Sequence, residues 1–132
     1  MLRKILIVFV SVFTIASELS LVAITHPSCP ICKAWHDEVA PYYELEASKS
    51  NLPKLKEYDI SDPDMRLWVQ QNIKGLTGLP TFVIMSDNKV KQRFAGYLDY
   101  QDFFINLHKA VIREIKEQQL ASLQNSQQDT KS

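Results

Sequence analysis

The chain has 132 residues, with 15 Lys and Arg against 15 Asp and Glu, two Cys and three Gly. This length suits one domain, and a hydrophobic fraction of 45% with a charged fraction of 23% argues against wholesale disorder and against a coiled coil. A formal net charge of zero provides no basic surface for nucleic acid, and two cysteines are too few for a disulfide-rich scaffold.

The first residues have the features of a secretion signal. Two basic residues, Arg3 and Lys4, precede an uncharged run over residues 5–17. The run is shorter than the about 20 apolar residues that span a bilayer, and it ends in small residues of the kind that precede signal-peptidase cleavage. We therefore predict that residues 1–17 are a signal peptide and that the mature protein is exported to the periplasm. A buried first helix or strand and an uncleaved anchor are the alternatives.

The next segment predicts a strand followed by a helix. Leu19 to Thr25 holds a continuous apolar core, as expected for a strand buried on both faces. After a turn, Pro30 suits the first position of a helix, and Pro41 is expected to kink or end that helix. The helix has apolar residues at helical spacing: Cys32, Trp35, Val39 and Tyr43.

The middle of the chain predicts a strand, a helix and a hairpin. The helix has a good start, because Asp62 suits the N-cap and Pro63 suits the first turn. The predicted ranges are 54–60 for the strand, 64–73 for the helix, and 81–85 and 90–94 for the hairpin, whose turn is Asp87-Asn88.

A final helix is predicted after Asp99, which suits its N-cap. Beyond Lys116 the sequence becomes rich in Gln and Ser and predicts a frayed helix end, then a disordered tail over residues 118–132. The order β-α-β-α-β-β-α indicates an α/β domain over residues 18–117, with a central mixed four-stranded sheet and flanking helices. The apolar stripe of the last helix is Tyr100, Phe103, Phe104, Leu107, Val111 and Ile115.

The two cysteines stand at the predicted start of the first helix. Unpaired N–H groups and the helix dipole stabilise an anion there, which favours a thiolate on Cys29, the outermost residue. Cys32 lies one turn deeper on the same stripe as Trp35 and is expected to be more buried, with a higher pKa. This asymmetry suits thiol–disulfide exchange, in which Cys29 attacks a substrate disulfide and Cys32 resolves the mixed disulfide.

Other roles for the cysteines remain open from the residues alone. With His26 and His36 nearby, Cys29 and Cys32 could form a two-Cys, two-His site for zinc or copper, although these four ligands crowd into a short stretch of chain. A purely structural disulfide would close a two-residue loop and constrain the unfolded chain very little. His26 lies either beside the thiolate or in an exposed turn.

Three segments of the sequence stand out: Cys29-Pro30-Ile31-Cys32 after a buried strand, Gly78-Leu79-Pro80-Thr81-Phe82 before the next one, and Gly96 after the hairpin. Together they make the sequence resemble the thioredoxin superfamily. The resemblance implies the thioredoxin fold, a redox-active disulfide between Cys29 and Cys32, a cis peptide bond before Pro80, and a substrate groove shaped by Leu79, Pro80 and Gly96. The CPICKAWHDEV run and the stretch from Gly96 to Phe104 also resemble exported thioredoxin-like proteins of the SoxS type.

The resemblance also implies how the protein works. Protein disulfides and thiols are the expected substrates, a membrane or periplasmic thiol protein the electron-transfer partner, and the protein a monomer without cofactor or metal. Three positions depart from the family pattern: Ser28 stands where many thioredoxins carry Trp, Ala23 where many carry a buried acid, and Ile31 where strong oxidants often carry His. Because Ile31 cannot donate a hydrogen bond to the thiolate, we predict a reductase rather than an oxidase.

Overall fold

The computed structural model describes residues 18–129, so the predicted signal peptide and the last three residues lie outside the described part. Within it, no helix combines the length and apolar character needed to cross a membrane. The elements are β1 (Ser20–Thr25), α1 (Pro30–Glu38), a 3₁₀ turn (Ala40–Tyr42), α2 (Tyr43–Ser50), β2 (Lys54–Asp59), α3 (Pro63–Asn72), β3 (Thr81–Ser86), β4 (Lys89–Ala95) and α4 (Tyr100–Asp129).

The four strands form one mixed sheet in the order β2-β1-β3-β4. β1 pairs in parallel with β2 and antiparallel with β3, and β3 continues into the hairpin with β4. Asp87 and Asn88 at the hairpin turn both have positive φ, as a tight turn between twisted strands requires. The predicted α/β architecture with a mixed four-stranded sheet is therefore confirmed.

Local sequence explains where the first helices begin and end. Cys29 is the extended N-cap of α1 and Pro30 takes its first position. α1 ends at Glu38, and Pro41 lies in the 3₁₀ turn that follows, which confirms the predicted break. The helix α2 was not predicted from the sequence; it is followed by its C-cap Asn51, which has a left-handed conformation (φ 51°).

Both faces of the sheet are covered by helices. One side, which we call the α1/α4 face, contains an aromatic cluster in which the ring centroids of Trp35, Phe82 and Phe103 lie 4.9–5.9 Å apart. The other side, which we call the α3 face, is aliphatic where it is buried. Its buried residues are Val22, Ile24, Val69, Ile73, Val83 and Met85.

The end of α4 differs from the prediction in two ways. The helix continues to Asp129, so the disordered tail predicted from residue 118 is wrong up to that residue. The physical reason is that the Gln, Leu and Ala residues of this segment favour the helix, and the segment contains neither Gly nor Pro. Ile115, which the sequence placed on the apolar stripe of this helix, is 44% exposed, whereas Glu114 is buried. The Glu114 carboxylate accepts hydrogen bonds from Gln92 at 3.4 Å and Gln118 at 3.2 Å, which offset its burial.

Candidate active site

Cys29 occupies the N-cap position of α1, directly after the turn that follows β1. Its sulfur accepts a hydrogen bond from the backbone N–H of Cys32 at 3.1 Å, so the side chain itself caps the helix. The backbone N–H of Cys29 donates to the His26 carbonyl, and its carbonyl accepts from Lys33, both at 3.1 Å. These contacts hold a half-buried thiol at the positive end of the helix dipole, where an anion is stabilised.

Cys32 lies one turn further along α1 and is only 2% exposed. Burial and the hydrogen bond with the Cys29 side chain raise its pKa from 9.0 to about 12, and a backbone hydrogen bond from His26 offsets part of the rise. Both cysteines are free thiols. The two thiols are thus unequal, as predicted, since one is open to a reactant and the other is enclosed and holds its proton firmly.

The segment before β3 reaches the same thiol from a distant part of the chain. The peptide bond between Leu79 and Pro80 is cis, and the Cys29 thiol lies 3.8 Å from the Leu79 carbonyl oxygen, to which it donates. Pro80 is fully buried. Its carbonyl accepts a hydrogen bond from the Gly96 N–H at 2.8 Å, so the end of β4 is joined to this segment. Gly96 has a φ of +85°, which favours glycine there.

The structure therefore brings the five predicted site residues to one end of the sheet. Cys29 contacts Cys32 and Leu79 directly, and Gly96 is one hydrogen bond away through Pro80. The loop after Gly96 is in turn tied to α1, because the Tyr97 hydroxyl donates to the carboxylate of Glu38.

Cys32, but not Cys29, lines a cavity of about 310 Å³ between β1, α1 and β2. This cavity was not predicted from the sequence, and neither was a role for Glu57, which lines it from β2. The Thr25 hydroxyl donates to the Glu57 carboxylate across the two strands at 3.4 Å. No local pattern in the sequence indicates that Glu57 lies near Cys32. Which side chains of β1 and β2 share a face depends on the register of the two strands, and that register is set by pairing between distant segments of the chain.

The histidines near the cysteines have other contacts. His26 Nδ1 accepts the Ser28 N–H at 3.0 Å and lies 2.7 Å from the Ser28 hydroxyl, so this nitrogen serves the turn. His36 is exposed on α1 and lines the cavity. In the part of the chain from 18 to 129, no group of three or more His, Cys, Asp and Glu side chains is arranged to hold a metal ion. No observation thus favours the two-Cys, two-His alternative.

Solved thioredoxins share the architecture of this chain. The periplasmic thioredoxin SoxS from Paracoccus pantotrophus, in its reduced form, is 26% identical, with a TM-score of 0.57 over 71% of this chain and 96% of that one. This chain belongs to the thioredoxin superfamily. A thioredoxin from Thermus thermophilus shares the fold at 15% identity, with a TM-score of 0.56 over 74% of this chain and 76% of that one. So does spinach chloroplast thioredoxin f, at 20% identity and a TM-score of 0.51 over 71% and 77% of the two chains.

No family model and no curated protein sequence matches the chain. The resemblance to the thioredoxin superfamily, first inferred from three short segments, is confirmed by the fold as a whole. With Cys29 and Cys32 at the start of α1, this member of the superfamily is a thiol–disulfide oxidoreductase.

Proposed function

We propose that this thioredoxin-like protein is an exported reductase of protein disulfides, of the SoxS type, with Cys29 as the nucleophile and Cys32 as the resolving thiol. The single observation that carries the assignment of roles is the contrast between the two sulfurs. Cys29 is half-buried at the helix N-terminus, whereas Cys32 is 2% exposed and cannot meet a protein substrate first.

The exchange proceeds in two steps. The thiolate of Cys29 attacks one sulfur of the substrate disulfide, so a mixed disulfide forms while the other substrate sulfur leaves as a thiolate. Cys32 then attacks the Cys29 sulfur, which forms the Cys29–Cys32 disulfide and releases the second substrate thiol. Two electrons pass to the substrate, and a thiol partner must return them. No step requires a cofactor or a metal.

Leu79, Pro80 and Gly96 form the groove that receives the substrate. The Leu79 carbonyl already lies 3.8 Å from the Cys29 thiol, so a peptide chain that pairs with the Leu79 backbone would bring its own sulfur next to Cys29. Backbone pairing of this kind binds extended segments with little dependence on their sequence. The hydrogen bond from Gly96 to the Pro80 carbonyl fixes the far wall of the groove.

Export and the direction of electron flow rest on three considerations. The sequence predicts a signal peptide over residues 1–17, ahead of a domain over residues 18–117, and the SoxS protein to which the chain is similar is described as periplasmic. Ile31, which follows Pro30 between the cysteines, has no group that could donate a hydrogen bond to a thiolate. A thiolate without that donor is less stabilised, which favours reduction of the substrate. In the periplasm the electrons must come from a membrane or periplasmic thiol protein.

Cysteine variants test the roles of the two thiols. Cys29→Ser is expected to abolish reduction of a protein disulfide such as that of insulin. Cys32→Ser should instead accumulate mixed disulfides, detected as a mass increase that dithiothreitol reverses. Normal turnover by both variants would overturn the enzymatic assignment. Metal analysis of protein purified without chelator serves as a control, because stoichiometric zinc or copper that is lost in both variants would favour a binding module.

The equilibrium potential tests the direction. The Cys29–Cys32 pair is titrated against glutathione, and the free thiols are counted by alkylation and mass spectrometry. A value near that of thioredoxin, about −270 mV, is expected for a reductase, whereas a value near −120 mV would identify an oxidase. The variant Ile31→His is the matched control, since a hydrogen-bond donor beside the thiolate should raise the potential.

A further inference from the structure

The second step of the proposed exchange requires the buried Cys32 thiol to lose its proton. At 2% exposure the sulfur has little access to solvent, and its burial holds the pKa far above neutrality. Resolution of a mixed disulfide at neutral pH therefore needs a group that accepts this proton. In the described structure the proton can leave the Cys32 sulfur through the cavity of about 310 Å³ that Cys32 lines.

The parallel pairing of β1 with β2 places Glu57 at this cavity. Glu57 is the register partner of Ala23, whose side chain faces the α1/α4 side of the sheet, the side that α1 covers. Side chains of neighbouring strands at one register position point to the same face, so the Glu57 side chain lies beneath α1. Glu57 lines the cavity there together with Cys32 of α1.

Glu57 is held there by a second contact. The hydroxyl of the buried Thr25 donates to Glu57 Oε1 at 3.4 Å, and Thr25 and Cys32 line the same cavity. The carboxylate is half-buried and has no cation within ion-pair distance among the described residues. A carboxylate that is fixed in place and not paired with a cation keeps its acceptor capacity for a proton.

The other titratable groups around the cavity are less suited to this role. Asp59, two residues along β2, already accepts the N–H and the hydroxyl of Ser61 at 2.8 and 2.7 Å, and these hydrogen bonds lower its pKa. Asp37 is paired with Lys33 at 2.6 Å on the exposed side of α1. The remaining lining groups that titrate are His26, whose Nδ1 is taken by Ser28, and His36, which is exposed.

We propose that Glu57 accepts the proton of Cys32 through the cavity when the mixed disulfide is resolved. The inference rests on the proposed function and assigns it a further residue. Water in a cavity of this size relays the proton from the Cys32 sulfur to the Glu57 carboxylate. The Cys32 thiolate then attacks the Cys29 sulfur, the bond between Cys29 and the substrate sulfur breaks, and the substrate thiolate leaves. Glu57 afterwards returns its proton to solvent.

The two steps can be followed separately with dithiobis-nitrobenzoate as the disulfide. Attack by Cys29 releases the first thionitrobenzoate and leaves a mixed disulfide, and attack by Cys32 releases the second. The full mature chain is mixed with the reagent in a stopped-flow instrument across pH 6 to 9. Cys32→Ser, which should release one equivalent only, identifies the second phase.

Glu57→Gln is expected to leave the first phase unchanged and to slow the second by about 10²-fold near pH 7. The pH profile should also change, because without the carboxylate only hydroxide removes the proton. The second-phase rate of the variant should then rise about tenfold per pH unit, whereas that of the wild-type chain should be flatter. Asp59→Asn is the matched control on the same strand and should keep the wild-type profile.

Chemical rescue separates a proton acceptor from a merely structural residue. In Glu57→Ala, added formate or acetate should restore the second phase in proportion to its concentration, while the same salts should leave the wild-type rate unchanged. A second phase in Glu57→Gln within twofold of wild type, with the same pH profile, would overturn the inference. The inference would also be overturned if His36→Asn slowed the second phase as much as Glu57→Gln does. Absence of the first phase from the wild-type chain would instead refute the proposed function.

Discussion

The two faces of the sheet differ in what fills them. The α1/α4 face contains the four buried aromatic side chains of residues 18–129: Trp35, Tyr43, Phe82 and Phe103. The α3 face is filled by Val, Ile and Met side chains, and its aromatic pair, Tyr58 stacked on Trp68 at 4.4 Å, lies only partly buried at the edge. Aromatic side chains bury more surface each, so the α1/α4 face contributes more to stability.

The helix that carries both thiols, α1, packs on the more strongly packed of the two faces. Cys32 and Trp35 lie on the same side of α1, and Trp35 is fully buried against Phe82 and Phe103. Displacing the helix that positions the sulfurs would therefore expose the aromatic cluster. The α3 face contributes only the half-buried Leu79 to the candidate site. Damage to the two faces should accordingly have different consequences for activity.

The largest effect is expected from Trp35→Ala. Removing this side chain leaves a cavity in the aromatic cluster and should lower the free energy of unfolding by about 3–5 kcal/mol. The thiol exchange rate should fall as well, because α1 loses its main anchor. Urea unfolding and the two-phase thiol assay measure the two effects.

Trp35→Phe is the matched control for the aromatic cluster. The buried indole N–H of Trp35 makes no hydrogen bond to any of the described residues. Replacement by Phe therefore loses no hydrogen bond and should cost well under half as much as Trp35→Ala. Equal losses from the two variants would contradict the role assigned to aromatic packing.

A smaller effect is expected from Ile73→Ala on the α3 face. Ile73 is 3% exposed at the end of α3, and its truncation should lower the free energy of unfolding by about 2 kcal/mol. Exchange by the folded variant should stay at the wild-type rate, since Ile73 packs in the aliphatic cluster of the α3 face, whereas Trp35, which lies beside Cys32 on α1, packs in the aromatic cluster. If the exchange rate falls as much as in Trp35→Ala, the distinction between the two faces fails.

High pH should weaken the α1/α4 face. The pKa of Cys32 is raised from 9.0 to about 12 in the folded chain, so above pH 9 the unfolded state releases a proton that the folded state keeps. The contribution of Cys32 to the free energy of unfolding is therefore complete below about pH 9. It is lost as the pH rises toward 12, by at most about 1.4 kcal/mol per pH unit.

The comparison for this pH effect is Cys32→Ala, whose stability should fall less steeply above pH 9, as measured by urea midpoints at several pH values. Tyr43, on the same face, also has a raised pKa because it is buried, so part of the decline should persist in the variant. Identical slopes for both chains would show that Cys32 ionises freely in the folded state.

The smallest effect is expected from deletion of residues 119–132. Residues 119–128 are exposed, whereas Gln118, which is retained, hydrogen-bonds to Glu114. The free energy of unfolding should change by less than about 0.5 kcal/mol, while the helical signal in circular dichroism decreases. A loss above 1 kcal/mol would mean that this end of α4 stabilises one of the two faces.

Sequence alone predicted the parts of the fold that depend on local pattern. The apolar run before Cys29, Pro30 at the first helical position and the Asp62 cap each act within a few residues, and the structure has β1, α1 and α3 where they indicate. α2 was missed because only one of its residues, Tyr43, is buried, so the helix has almost no apolar periodicity.

What the sequence did not reveal depends on contacts between distant segments. Ile115 continued an apolar stripe, but the side chain that faces β4 is Glu114, which Gln92 satisfies from the neighbouring strand. The cavity beside Cys32 required the parallel register that sets Glu57 against Ala23. Neither partner is identifiable before the strands are paired, because each lies more than 20 residues away in the chain.

The length of α4 determines where a label, fusion partner or support can be joined to the protein without blocking the thiols. Its 30 residues extend about 45 Å at 1.5 Å per residue. The helix starts four residues after Gly96, at the end of the sheet where the thiols lie, and runs away from it. A fusion partner, dye or solid support joined directly after Asp129 would therefore start from the far end of this helix, away from Cys29.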